Sequence, residues 1–190
     1  MSEPIQFTFH PEKAVQASAL LLKLKGGSMK YLGLLKMLYI ADRIALEQLE
    51  MPITGDCYVS MKYGPVLSQV YDLIKGQPAG HSLSVWTKFI FRPDDYYCVS
   101  LKTDPGNDEL CEEEEAILKE VYTNFGHLDP FAVAEWTHGL PEWRQPEPIT
   151  SRIPIVVEDI LHNVGKSDSE IEEIRQLTLQ EAYLDMVLHG

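Results

Sequence analysis

The chain has 190 residues, 45% hydrophobic and 24% charged, which are ordinary values for a folded protein and exclude bulk disorder or a low-complexity fibre. At ~100–200 residues per domain the length predicts a single domain over 1–190, and no run approaches the ~18 apolar residues of a membrane helix. A formal net charge of −13 argues against a generic nucleic-acid binder, whose affinity comes from Lys and Arg on phosphate.

A helix is predicted from Pro11, a residue suited to a first helical position, with Ala14, Ala17, Leu21 and Leu24 on one face and Gly26-Gly27 as its stop. Ser28 is the candidate N-cap of a second helix reaching about Leu49. Its apolar positions, among them Leu34, Leu35, Leu38, Ala41 and Ala45, wrap most of the circumference, the mark of a buried central helix. Pro52 ends it, Ile53-Thr54-Gly55-Asp56 reads as a turn, and Cys57–Met61 as a short strand. Gly64-Pro65 then predicts a turn into a helix with Pro65 at its first position and Gly76 at its end.

Trp86–Phe91 and Tyr96–Leu101 predict a hairpin around the turn Arg92-Pro93-Asp94-Asp95, forming one small sheet with residues 57–61. Leu110, Ile117, Leu118, Val121 and Phe125 have helical spacing. The run Glu112–Glu115 inside that helix cannot all face inward, because burying unpaired carboxylates is too costly. Asp129-Pro130 opens a short helix closed by His138-Gly139. Pro154 is expected to start another, and Ser167–Glu170 is a capping box opening a last helix to about Leu188. The fold class is therefore mainly α, a compact helical domain with a small inserted antiparallel sheet of about three short strands. Residues 146–190 supply C-terminal helices packed on the same domain.

Charge is divided unevenly. Residues 1–101 hold 10 basic and 9 acidic groups, residues 102–190 hold 6 and 20. The acidic half is either a solvated surface or a means of speeding encounter with a basic protein. Met1-Ser2-Glu3-Pro4 has neither a basic nor an apolar signal region, so no secretory leader is expected. Cys57, Cys98 and Cys111, odd in number and without metal-type spacing, read as reduced thiols of a cytosol.

Catalytic signatures fail one by one. Gly165-Lys166-Ser167 resembles the end of a phosphate loop, but Ile160 stands where the loop needs glycine. His127, Asp129, His138 and Glu142 have suitable metal-binding side chains at spacings that match no standard site. No catalytic residue, metal or cofactor is assigned. Asp42 is the unusual residue: it shares a helical stripe with Tyr39, Arg43 and Leu46, so its carboxylate must be paired or hydrogen-bonded. Arg43 points about 100° away. Tyr58, Tyr71 or backbone N–H groups at Gly64-Pro65 are the candidate partners, in either a polar tie between helix and turn or a recognition carboxylate. Trp136 and Trp143 flank residues 137–142, as interface anchors or as staples holding the loop to the core.

Residues 36–76 resemble the core of the Panacea domain, the SocA-like antitoxin family, also labelled phage-associated. The resemblance is carried by Leu38-Tyr39-Ile40-Ala41-Asp42-Arg43, Ile53-Thr54-Gly55-Asp56, Tyr63-Gly64-Pro65-Val66 and Val70-Tyr71-Asp72. Thr137-His138 followed by Pro141-Glu142-Trp143 continues it, and it covers about residues 8–145. Glu50 stands where the family leads one to expect glycine, and Cys57 is atypical. The resemblance implies a helical domain with a small sheet, no known enzymatic activity, and a bacterial or phage toxin–antitoxin setting in the cytoplasm. The domain would there neutralise a cognate toxin, encoded beside it, by direct protein contact as a type II antitoxin. One relative is similar to a proteolytic adaptor that delivers its toxin to the ClpXP protease, which makes such a protease an alternative partner. A small metal-dependent hydrolase or nuclease using Asp42 and the His138 loop is the remote alternative. The motif residues carried over are Tyr39, Asp42, Arg43, Gly55, Asp56, Tyr58, Gly64, Pro65, Tyr71, Thr137, His138 and Trp143. Candidate toxin contacts are Tyr63 and Trp143 with Glu112, Glu113 and Glu115.

Overall fold

A computed structural model describes residues 3–190; Met1 and Ser2, which belong to the stretch read above for a secretory leader, lie outside the described residues. Helix α1 (Pro11–Leu24) begins on the expected proline and buries Ala14, Ala17 and Leu21. The chain then forms strand β1 (Ser28–Lys30) before helix α2 (Tyr31–Leu49), so Ser28 is not an N-cap. A ladder decides this: β1 pairs antiparallel with a strand some 70 residues later, Met29 opposite Val99, and both side chains are buried. Helix α2 is the centre of the molecule, packed against α1 and five later elements, which explains its all-round apolar sequence.

Strands β2 (Tyr58–Met61) and β3 (Gly64–Leu67) form a hairpin, and helix α3 (Ser68–Ile74) follows. The helix expected from Pro65 thus starts three residues later. Pro65 lies in β3, an edge strand of its sheet, where its missing N–H costs no central ladder bond. Helix α4 (His81–Phe89) replaces most of the strand predicted from Trp86, because α4 packs on α1 with Trp86 buried. Only Ile90–Phe91 remain as β4, paired with β5 (Cys98–Leu101) in the expected hairpin.

Helix α5 (Glu112–Phe125) is capped by Cys111 and Glu114, and α6 (Pro130–His138) by the Asp129 carboxylate, which accepts from the Phe131 N–H at 2.9 Å. Pro154 sits in strand β6 (Ile153–Ile155), paired with β2, rather than starting a helix. Helix α7 (Val157–Asn163) follows, and α8 (Asp168–His189) opens on the expected capping box. The strands form two sheets, β1-β5-β4 and β3-β2-β6, so residues 57–61 and the β4–β5 hairpin do not share one. A mainly helical protein with small antiparallel sheets is the observed fold. One hydrophobic cluster runs from Ile5 to Ile174. Among the described residues no helix is long and apolar enough to cross a membrane.

Candidate functional site

Where α2 ends, the loop 53–57 folds back along it and delivers donors to Asp42. Asp42 Oδ1 accepts from the backbone N–H groups of Ile53 (2.9 Å) and Thr54 (3.1 Å). Its Oδ2 accepts from the hydroxyls of Thr54 (2.6 Å) and Tyr58 (3.0 Å). The side chain is wholly buried, and burial pushes its pKa up to about 6 against the pull of these donors. Of the expected partners Tyr58 is present, Tyr71 and the Gly64-Pro65 turn are not, and Ile53 and Thr54 complete the set. Tyr71 lies instead on α3, edge-on to Tyr31 and beneath the guanidinium of Arg152.

Asp56 ties the same loop to α3. Its carboxylate accepts from the N–H groups of Gln69 and Val70, both at 2.9 Å, in the first turn of that helix. It is an N-cap supplied from outside the helix. Burial raises its pKa to about 7, with the nearby Asp42 charge adding to the rise. Gly55 holds a positive φ of 70°, and a Cβ there would collide with the Thr8 carbonyl, so glycine lets the N-terminal segment close over the loop.

Glu142 is the second hub. Its Oε1 accepts from the Tyr39 hydroxyl (2.9 Å) and Arg43 Nε (2.7 Å), and its Oε2 from Asn163 Nδ2 (3.1 Å). Burial works to raise its pKa, but the Arg43 and other hydrogen bonds outweigh it and hold the carboxyl below its ordinary value. Arg43 thus serves Glu142, and Tyr39 packs edge-on to Tyr58, joining the two hubs. Trp143 is a staple: its indole N–H donates to the Met61 carbonyl at 3.0 Å, and His138 stacks on the ring at a centroid distance of 4.0 Å. Trp136 is different, 49% exposed on α6.

Lys36 and the central role of Glu142 are what reading the sequence missed. Lys36 is fully buried, its Nζ donating to the Pro65 carbonyl at 2.6 Å, and burial pushes its pKa down to about 7. The signal was present: a helix apolar on all sides leaves no solvent face for a lysine between Leu35 and Met37. Gly64 keeps this corner closed, since a Cβ there would collide with the Thr137 hydroxyl, which itself donates to the Ala134 carbonyl at 2.6 Å. Among the described residues no group of three or more His, Cys, Asp and Glu side chains is disposed to hold a metal ion.

Of the surface candidates, Tyr63 is exposed and meets Phe131 edge-on. Glu112 and Glu113 face water, Glu115 is partly covered by Lys119 and Asn107, and Glu114 turns inward to Lys13 at 2.6 Å. The acidic run is split as its cost of burial requires.

The family described as antitoxin SocA-like, Panacea domain, matches residues 34–144, more than half of the chain. The match spans both carboxylate hubs and the His138–Trp143 stack. The chain belongs to that family. No curated protein and no solved structure matches it.

Proposed function

We propose that the chain acts as one domain that neutralises a cognate toxin protein by direct, stoichiometric, non-catalytic binding, as a type II antitoxin of a bacterial or phage cytoplasm. Membership of an antitoxin family carries this reading, since such a family implies a toxin partner. The chemistry of the motif residues supports it. Asp42, Asp56 and Glu142 accept from internal donors on both carboxylate oxygens, so they tie loops to helices rather than present a reactive group. Recognition then belongs to the surface, where Tyr63 stands out with Phe131, and where Glu112 and Glu113 give a negative field suited to a basic partner.

The test is co-expression with the product of the neighbouring gene. The expected result is rescued growth and a stable complex of fixed stoichiometry. Loss of the toxin that depends on ClpXP, with no lasting complex, would replace neutralisation by binding with proteolytic delivery.

A further inference from the structure

The last three turns of α8 are exposed although their sequence is apolar. Ile171 and Ile174, near its start, are buried in the core, and Arg175 is anchored to Glu158 at 2.9 Å. Beyond Thr178 every residue is exposed, including Leu179, Tyr183, Met186 and Val187, at 52–62%. Their spacing of four, three and one residues places them on one flank of the helix. Leu177, Leu184 and Leu188 line the opposite flank, at 55–72%. A helix apolar on both flanks belongs inside a core, so water is the wrong surrounding for these turns. The Leu184–Leu188 flank also forms one wall of a groove whose other wall is Phe7, Met51 and Pro52.

Charge selects the occupant. Glu181 and Asp185 line this groove, and its one lysine, Lys13, is already paired with Glu114 at 2.6 Å. The only Lys or Arg of α8 is Arg175, held by Glu158 and Glu172. A second copy docked through this same face would bring Glu181 and Asp185 against their own counterparts, and nucleic acid or an anionic membrane would be repelled. A protein with an apolar helical face and flanking Lys or Arg fits both the groove and the field. The position is also telling, for α8 lies outside residues 34–144 that the family shares.

We infer that the exposed end of α8 and its groove are the docking site for a basic, apolar-faced helix of the toxin. This rests on the antitoxin reading above. The shared scaffold then holds an arm that grips one particular partner.

The experiment uses the full chain and the product of the neighbouring gene. Leu184→Gln with Leu188→Gln, and separately Tyr183→Gln with Val187→Gln, keep good helix formers on an exposed surface, so circular dichroism and Tm should match the parent. Each pair should weaken toxin binding at least ~tenfold, as loss of apolar anchors does. Glu181→Gln with Asp185→Asn should slow association at low salt and flatten its salt dependence. A smaller affinity loss in both apolar pairs, with growth rescue intact, overturns the docking site and leaves the antitoxin reading standing. Failure of the unaltered chain to bind or rescue removes that reading and the docking site with it. A dimer in light scattering that Leu184→Gln with Leu188→Gln dissolves would assign the surface to a second copy and also overturn the inference.

Discussion

Replacing Lys36 with methionine is expected to stabilise the protein at neutral pH. The amine is fully buried, donates to the Pro65 carbonyl at 2.6 Å, and its pKa falls from 10.5 to about 7 through burial alone. At ~1.4 kcal/mol per pKa unit, that fall corresponds to a cost of about 5 kcal/mol for carrying the ammonium into the core. Methionine has a similar length and no charge, but it leaves the Pro65 carbonyl without its donor, a loss of ~1–3 kcal/mol. The net gain expected at pH 7 is therefore ~2–4 kcal/mol. The pH dependence gives a sharper readout. An unfolded lysine holds its proton up to about 10.5, whereas the folded amine releases it near 7. Between those values the unfolded state binds more protons, so stability of the natural protein rises with pH, by up to ~1.4 kcal/mol per unit. Below about 7 both states are protonated and this contribution is flat. Lys36→Met lacks the rise. Urea unfolding of both proteins from about pH 6 to about 9.5 measures the difference, in which every other titrating group cancels. Parallel curves, or a variant less stable than its parent, would refute the reasoning.

Asp42→Ala should cost ~2–4 kcal/mol by urea unfolding, because the Ile53 and Thr54 N–H groups cannot turn away; Asp42→Asn should cost under about 1, because the Thr54 and Tyr58 hydroxyls can rotate to accept, and equal losses would refute this. Glu142 has a lowered pKa, so its stabilisation is present above 4.5 and is lost as pH falls through the folded value; Glu142→Gln should remove that part of the acid sensitivity, seen as a shallower fall of Tm on acidification. Glu50 closes α2 at φ 60°, a left-handed position, so Glu50→Gly should raise stability by ~0.5–1 kcal/mol despite losing the Lys166 ion pair at 2.9 Å, as thermal unfolding can show. Glu112→Gln, Glu113→Gln and Glu115→Gln together should lower the toxin association rate at low salt with Tm unchanged; an unaltered rate would leave these acids a solvated surface.

Local chemistry made much of this protein legible from its residues. Pro11, Asp129-Pro130 and Ser167–Glu170 start their helices as read, because a fixed φ or a capping side chain acts within one turn. The all-round apolar pattern of α2 announced its central place, and the stripe through Asp42 announced a buried, satisfied carboxylate. The motif set from Leu38 to Trp143 announced the family. What the residues could not decide was set by partners distant in the chain. Ser28–Lys30 and Pro154 became strand because β5 and β2 offered ladder bonds some 70 and 95 residues away. Trp86 stayed helical because α1 offered it a buried site, overriding the preference of aromatic residues for strands. Lys36 found its acceptor on Pro65, and Glu142 joined Tyr39 and Arg43 of α2 to Asn163 of α7. Which tryptophan became a staple was decided in the same way, by the Met61 carbonyl within reach of Trp143 and by the outward face of α6 beneath Trp136. Propensity and capping act over a few residues, whereas burial, ladder pairing and the partner of a charge are settled only when distant segments meet.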